Sequence, residues 1–105
     1  MVEHLDSQNF SNIINRSDIA IVDFWADWCT PCKRLSSMLD EFEIKLDAES
    51  KLFKVDVDKN PTLAGEYGVE SIPTIIIFKN GNPISSIIGL QSKSELEKAI
   101  FSAIS

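Results

Sequence analysis

The sequence predicts an α/β protein with a central mixed five-stranded sheet flanked by four helices, in the order β-α-β-α-β-α-β-β-α. Strand-like apolar segments alternate with segments of helical periodicity, a pattern typical of parallel strands joined by right-handed helical crossovers. An Asn80-Gly81 turn between two apolar segments adds an antiparallel hairpin to the same sheet. The 105 residues, 44% of them hydrophobic and 25% charged, fit a single domain spanning residues 1–105.

The chain begins with a short strand and a short helix. Residues 2–5 favour the strand, and Ser7 is placed to cap the helix that follows, which we expect to end near Arg16. The apolar side chains of this helix recur at positions i, i+3 and i+4, namely Phe10, Ile13 and Ile14. Residues 19–25 form a nearly continuous β-branched and aromatic run, which predicts a central strand covered on both faces.

The two longest helices are predicted from apolar stripes. The first begins at the cysteines, with Pro31 in its first turn, where the missing N–H costs nothing. Its stripe consists of Leu35, Met38, Leu39, Phe42 and Leu46. The second lies near the C-terminus behind a cap at Ser92 or Ser94. Its stripe consists of Leu96, Ala99, Ile100, Ala103 and Ile104.

The middle of the chain supplies the remaining elements. Residues 52–57 alternate between polar and apolar side chains, as a strand does. Residues 58–61, Asp-Lys-Asn-Pro, open a turn that leads into a short helix towards Tyr67. Residues 75–78 and 84–88 flank the Asn-Gly turn, so we expect these two strands to pair in the antiparallel direction.

Charge and hydropathy exclude several classes of function. The formal net charge is −6 at pH 7 and the basic residues form no cluster beyond Lys33-Arg34, so the positive surface that nucleic acids require is missing. No apolar run approaches the roughly 20 residues of a membrane span. The first ten residues contain neither the basic nor the apolar region of a secretory signal. We therefore expect a cytoplasmic protein that binds neither nucleic acid nor membranes. We also expect it to be a monomer.

The two cysteines of the chain, Cys29 and Cys32, are separated by two residues at the predicted start of a helix. This spacing brings the thiols together and places the first sulfur near unpaired backbone N–H groups at the positive end of the helix dipole. A reactive thiolate is stabilised in such a position. Cys29, outside the helix, is therefore the expected nucleophile, and Cys32, one turn inside it, is the expected resolving thiol.

Two other roles for the cysteine pair stay open at this point. A zinc site needs about four ligands, and the chain offers two thiols and the distant His4, so a metal or cluster would have to be shared across a dimer. A purely structural bridge would close a very small loop, which restricts the unfolded chain little. In a reducing cytosol a redox-active pair is favoured over both. His4 is interpreted as a surface residue, and Trp25 as a packing residue.

The segment around the cysteines resembles the active-site segment of the thioredoxin family, and the similarity extends along the whole chain. Residues 22–33 read VDFWADWCTPCK. Further family-like segments follow in order: Lys54 before Val55-Asp56-Val57-Asp58, then Asn60-Pro61, Ile72-Pro73-Thr74, Phe78-Lys79-Asn80-Gly81 and Gly89. The resemblance implies the thioredoxin fold and a thiol-disulfide oxidoreductase that reduces disulfide-containing client proteins. It implies no bound cofactor or metal, and electrons that come from NADPH through a flavoprotein, thioredoxin reductase.

The resemblance also implies roles for two charged residues. Asp23 lies within an apolar strand, where burial would raise the pKa of its carboxyl group and let it transfer a proton for Cys32. Lys54 is similar to the family's lysine near that aspartate, and its positive charge would moderate the rise. From composition alone, Asp23 fits a solvated sheet edge equally well, and Lys54 fits a solvated strand position.

A substrate-docking surface is implied in the same way. Pro73 resembles the family's cis-proline facing the disulfide, so we predict a cis bond before it. The backbone groups of its neighbours, with Thr74 among them, would pair with an extended substrate segment. An apolar docking rim would consist of Trp28, Thr30, Pro31, Ile72, Ile88 and Gly89. Without the resemblance, Ile72 and Ile88 would be assigned to the ordinary core.

The chain departs from the family pattern at two positions. Thr30 replaces the usual glycine between the first cysteine and the proline, and this stiffer residue can shift the redox potential. Ser37 replaces the usual proline of the second helix, so we expect a weaker kink. Three functions remain: a dithiol reductase, which is favoured, an oxidant or isomerase with a less reducing potential, and a binding module that uses the rim without thiol cycling.

Overall fold

A computed structural model describes residues 2–105 of the chain. The described residues form the predicted succession of elements. These are β1 (Glu3–Leu5), α1 (Phe10–Asn15), β2 (Ile19–Trp25), α2 (Thr30–Glu43), β3 (Ser50–Asp56), α3 (Pro61–Glu66), β4 (Thr74–Lys79), β5 (Asn82–Ile88) and α4 (Lys93–Ile104). Within residues 2–105, no helix combines the length and the apolar character that crossing a membrane demands.

The five strands form one mixed sheet in the spatial order β1-β3-β2-β4-β5. Strand β3 runs parallel to both β1 and β2, whereas β4 runs antiparallel to β2 and to β5. The central position of β2 explains why six of its seven residues are buried. The predicted central strand and the predicted C-terminal hairpin are both confirmed.

The alternation of side chains along β2 divides the core into two layers. Val22 and Phe24 belong to the apolar cluster that α1 and α3 cover. Ile19 and Ile21 belong to the cluster that α2 and α4 cover. Because side chains two residues apart share a face of the sheet, Asp23 lies on the same face as Ile19 and Ile21. The sheet therefore directs this carboxyl group toward the layer that contains α2.

The start of α1 differs from the sequence prediction, because Ser7 is not its cap. Asn9 precedes the helix, and the carboxylate of Asp6 accepts hydrogen bonds from the backbone N–H groups of Gln8 and Asn9, both at 2.9 Å. Ser7 is bonded elsewhere: its backbone N–H and its hydroxyl both donate to Oδ1 of Asn60, at 3.0 and 3.2 Å. A charged oxygen accepts such bonds more strongly than a hydroxyl does, so Asp6 organises this turn.

The ends of the two long helices show what periodicity predicts and what it misses. Helix α2 ends at Glu43, so Leu46 lies beyond the helix that was predicted to contain it. Leu46 nevertheless packs against the cluster beneath α2 and α4, which explains why its spacing suited the stripe. At α4, Ser92 rather than Ser94 is the cap, and it forms a reciprocal capping box with Glu95.

Candidate active site: a cysteine pair at a helix start

Cys29 and Cys32 form a disulfide across the first turn of α2, with their Cα atoms 5.3 Å apart. Cys29 is the N-cap residue, with an extended backbone, and its Sγ atom accepts a hydrogen bond from the backbone N–H of Cys32 at 3.2 Å. Pro31 occupies the first turn of the helix, as predicted. The sulfur of Cys29 thus takes the place that a capping oxygen usually takes, where the helix dipole favours negative charge.

The cysteine pair is almost completely enclosed. Cys29 is 4% exposed and Cys32 is 2% exposed, and both pack with buried Ala26. Three partly buried apolar side chains complete this cluster, namely Trp25, Val57 and Ile72. Because so little of either cysteine reaches solvent, another disulfide can react with the pair only after it has docked closely against the surrounding surface.

Asp23 is a fully buried acid on the central strand. Its side chain is 0% exposed, and within residues 2–105 neither carboxyl oxygen has a hydrogen-bond partner. Burial raises the pKa of Asp23 from 3.8 to about 7, and the positive charge of Lys54 opposes part of that rise. A solvated sheet edge is therefore excluded. A carboxyl group with this pKa can take up and release a proton near neutral pH.

Lys54 lies beside Asp23, because the two residues are register partners on β3 and β2. The Lys54 side chain is partly buried, its ammonium group donates a hydrogen bond to the Ser36 hydroxyl, and it lies 5.2 Å from the centre of the Trp25 ring. Lys54 is thus not a freely solvated strand residue. The exposed His4 packs edge-on against the same ring, with centroids 6.0 Å apart.

The bond between Ile72 and Pro73 is cis. The carbonyl of Pro73 accepts a hydrogen bond from the backbone N–H of Gly89 at 2.8 Å, and Gly89 has a φ of +83°, which favours glycine. Thr74 is buried, and its hydroxyl donates to the carbonyl of Ser71 at 2.5 Å. The Thr74 side chain is therefore used within this loop.

Around the cysteines, several residues of the predicted rim are accessible. Trp28 is 69% exposed and Ile88 is 63% exposed, so Ile88 is not an ordinary core residue. Thr30 and Pro31 are also exposed, whereas Ile72 and Gly89 are partly buried. Ile72 packs against the cysteine cluster, and Ile88 is the register partner of Thr74. Large exposed apolar side chains close to a buried reactive pair are suited to binding another protein.

Trp28 is exposed but held in place. Its indole Nε1–H donates a hydrogen bond to the carboxylate of Asp58 at 2.8 Å. Asp58 is itself held, because the carboxylate of Asp56 accepts hydrogen bonds from the backbone N–H groups of Asp58 and Lys59, at 2.9 and 3.2 Å. The loop after β3 thereby orients a residue that directly precedes Cys29.

Sequence reasoning missed two residues that support this site. Asp58 was placed in a turn and in a family-like segment, but nothing in the local sequence pairs it with an indole thirty positions earlier. Ser36 was not singled out, although its position four residues after Cys32 places both on one face of α2. Of the two departures from the family pattern, Thr30 begins α2, and α2 continues without a break through Ser37.

A redox-active Cys-X-X-Cys pair at the start of a helix, next to the middle strand of a mixed sheet, defines a thiol-disulfide oxidoreductase. Comparison with known proteins agrees. The sequence model of the family described as Thioredoxin matches residues 1–102. The chain belongs to the thioredoxin family, and it is a protein-disulfide reductase that acts on disulfide-containing client proteins.

Individual relatives are similar over nearly their whole length. The thioredoxin of Rickettsia prowazekii is 44% identical over 97 residues, which cover 91% of this chain and 92% of that protein. The thioredoxin of Staphylococcus saprophyticus is 41% identical over 100 residues, which cover 95% and 94%. Among solved structures, a mutant thioredoxin from Halobacterium salinarum superimposes with a TM-score of 0.85 at 29% identity, covering 98% of this chain and 90% of that one.

Proposed function

We propose that the chain reduces client disulfides in two exchanges, with Cys29 as nucleophile and Cys32 as resolving thiol. The Cys29 thiolate attacks one client sulfur, a mixed disulfide forms, and the other client sulfur leaves as a thiolate that takes up a proton. The Cys32 thiolate then attacks the sulfur of Cys29, the Cys29–Cys32 disulfide forms, and the second client thiolate is released and protonated. The client gains two electrons, both from the dithiol. It also takes up two protons; because Cys29 starts as a thiolate, at most the one proton of Cys32 comes from the protein, and the rest come from solvent.

One observation carries this assignment of roles: the sulfur of Cys29 accepts the backbone N–H of Cys32 at the positive end of α2. Negative charge on that sulfur is stabilised before any client arrives. Cys32 lies inside the first turn and is 2% exposed, so it would attack the mixed disulfide from within the protein. The arrangement favours attack by Cys29 and release by Cys32.

We propose that Asp23 transfers the proton of Cys32, and that Lys54 tunes this step. The carboxyl group is sealed from solvent. Its pKa of about 7 lets it accept a proton as the Cys32 thiolate forms and return that proton to Cys32 when the disulfide is reduced again. Lys54 keeps the pKa from rising further, because its positive charge favours the carboxylate. The interaction is strengthened because Asp23 is fully buried and Lys54 is partly buried, so water screens the two groups less than it does at the surface.

The client would dock on the rim beside the pair. We assign this rim to Trp28, Thr30, Pro31, Ile72, Ile88 and Gly89, with backbone groups next to Pro73, including those of Thr74, pairing with an extended client segment. The exposure of Trp28 and Ile88 supports the assignment. The near-complete burial of both cysteines makes such docking a requirement for reaction.

The oxidised pair must then be reduced again. We propose that a flavoprotein, thioredoxin reductase, delivers the two electrons from NADPH, that the cycle takes place in the cytoplasm, and that the chain works as a monomeric single domain. Membership of the thioredoxin family supports this cycle. The reductase would dock on the same rim, because it too must reach the enclosed Cys29–Cys32 disulfide.

The decisive experiment is the equilibrium potential of the cysteine pair in defined thiol-disulfide buffers, with thiol trapping and tryptophan fluorescence as readouts. A two-electron transition below the cytosolic glutathione poise is expected for a reductase. A potential well above that poise would instead indicate an oxidant or isomerase. Thr30, next to Cys29, is the residue to exchange for glycine if the potential is unexpectedly high.

The roles of the two cysteines are tested by trapping. Cys32→Ser should accumulate a mixed disulfide with a client through Cys29, whereas Cys29→Ser should accumulate none. The opposite pattern would reverse the assignment. Client binding that persists undiminished when both are serine, together with no reversible redox transition in the unmodified protein, would indicate a binding module.

A further inference from the structure

We propose that Ser36 is a positioning residue for the reaction: its hydroxyl holds the Lys54 ammonium group at a defined place beside Asp23 and so tunes proton transfer by that carboxyl group. The inference rests on the roles proposed above for Asp23 and Lys54. It adds a residue of α2 to a pair that otherwise belongs to the sheet.

The fold brings the three side chains to the same layer. Asp23 and Lys54 are register partners on adjacent parallel strands. Two residues before Lys54, Leu52 belongs to the apolar cluster under α2, so the alternation of β3 directs Lys54 to the α2 side as well. Ser36 is partly buried and lies one turn after Cys32. Lys54 therefore extends from the sheet to the helix that carries the cysteines.

The contacts of Lys54 show what holds its charge. The ammonium group donates a hydrogen bond to the Ser36 hydroxyl and lies over the Trp25 ring. It donates none to Asp23, since within residues 2–105 neither oxygen of that carboxyl group has a partner. Lys54 thus acts on Asp23 through space, and the strength of that interaction depends on where the ammonium group is held.

Other elements around Asp23 contribute little charge. Its partner on β4 is the apolar Ile75, and α2 and α4 pack buried leucine and isoleucine side chains on this face. On β1, the ionisable His4 is the register partner of Lys54 and contacts the Trp25 ring. On β3, Asp56 accepts backbone N–H bonds in the following loop. Among residues 2–105, Lys54 is the charge that acts on Asp23.

Removing the Ser36 hydroxyl should change the pKa of Asp23 in a defined direction. In Ser36→Ala, the ammonium group loses an oxygen acceptor at a partly buried position, where an unpaired charge is unfavourable. We expect the flexible Lys54 side chain to move outward to water. Because the positive charge then lies farther from Asp23, the carboxylate is less stabilised, and the pKa of Asp23 rises.

The test is a carbon-detected NMR titration of the Asp23 carboxyl group in the disulfide form, where the cysteines do not titrate. Ser36→Ala should raise the midpoint of the Asp23 titration by about half a pH unit. That is a fraction of the pKa change that a full neighbouring charge can cause. Ser36→Thr keeps a hydroxyl and should restore the original midpoint. Ser37→Ala is the matched control, since Ser37 is exposed and its hydroxyl donates to the Lys33 carbonyl, 3.4 Å away.

The outcomes separate this inference from the function on which it rests. An unchanged or lowered midpoint in Ser36→Ala would overturn the positioning role. Lys54→Met should raise the midpoint further than Ser36→Ala does. If Lys54→Met raises it and Ser36→Ala does not, only Ser36 loses its role; if neither raises it, the proposed role of Lys54 fails as well. The pH profile of client reduction should move in the same direction as the midpoint.

Discussion

Helices α2 and α4 begin with the same hydrogen bond and use it for different purposes. In α4, the hydroxyl of Ser92 accepts the backbone N–H of Glu95 at 3.1 Å. In α2, the sulfur of Cys29 accepts the backbone N–H of Cys32 at 3.2 Å. Both caps bind the N–H group three residues into the helix, so backbone geometry alone does not distinguish a stabilising cap from a reactive one.

The surroundings distinguish the two caps. Ser92 is exposed, and the carboxylate of Glu95 accepts the Ser92 N–H in return, at 3.3 Å. Cys29 is enclosed, and the helix it caps packs over the layer that contains Asp23. A surface cap exchanges its bonds with water and adds stability. An enclosed sulfur at the positive end of a helix has a charge state that the protein controls rather than water, which is the condition for a reactive thiolate.

Replacing the α2 cap by the kind of residue found at the α4 cap gives the largest expected effect. Cys29→Ser keeps a capping oxygen but removes the nucleophile, so client reduction should fall by about 10³-fold or more. The midpoint temperature of thermal unfolding should stay close to that of the reduced unmodified protein, which also lacks the disulfide. Substantial turnover by this variant would show that Cys29 is not the attacking group.

The pH dependence of stability is the second way to distinguish the surroundings of the α2 cap from those of the α4 cap. The unfolded chain loses the Asp23 proton near pH 4, whereas the folded protein keeps it up to about pH 7. The folded state binds more protons in that window, so the free energy of unfolding should decrease as the pH rises from about 4 to about 7. The rise in the pKa of Asp23 on folding corresponds to a loss of roughly 4 kcal/mol in the free energy of unfolding across this window.

Urea unfolding of the disulfide form at a series of pH values measures this slope. Asp23→Asn cannot ionise and should flatten the curve between pH 4 and 7, which makes the variant more stable than the unmodified protein at pH 8. A slope that Asp23→Asn leaves intact would assign the pH dependence to other groups.

The α4 cap should show the opposite sign and a smaller effect. Its hydrogen bonds to Ser92 lower the pKa of Glu95, so the capping box is intact above the ordinary value of 4.5 and is lost as the pH falls through the lowered value. At pH 7, Ser92→Ala should reduce the free energy of unfolding by about 1 kcal/mol. The rate of client reduction should not change, and a clear change would contradict the division of roles between the two caps.

The smallest expected effect concerns the rim beside the α2 cap. Asp58→Asn weakens the hydrogen bond that holds the Trp28 indole, so the KM for a protein client should rise about threefold while kcat is kept. A small soluble disulfide that does not use the rim serves as the control and should react as before. Equal losses with both substrates would mean that Asp58 supports the cysteines rather than client docking.

Local patterns predicted most of the fold and part of the site. The apolar run of β2, the Asn80-Gly81 turn and the stripe of α4 each specify one element, because a strand or helix must cover its apolar face. From composition alone, Asp23 fitted a buried position and a solvated sheet edge equally well; the resemblance favoured burial, and the structure shows it. The predicted cap at Ser7 was wrong, since the competing partners Asp6 and Asn60 are chosen by geometry that no local rule contains.

By itself, the sequence determined that two cysteines meet at a helix start on an α/β sheet, because spacing, proline position and periodicity are properties of a continuous stretch of chain. Only the tertiary structure decided that Lys54 reaches Ser36 and that Asp58 holds Trp28. These contacts join residues 18 and 30 positions apart. Strand register and loop closure create them, and both depend on how the whole chain packs around a common core.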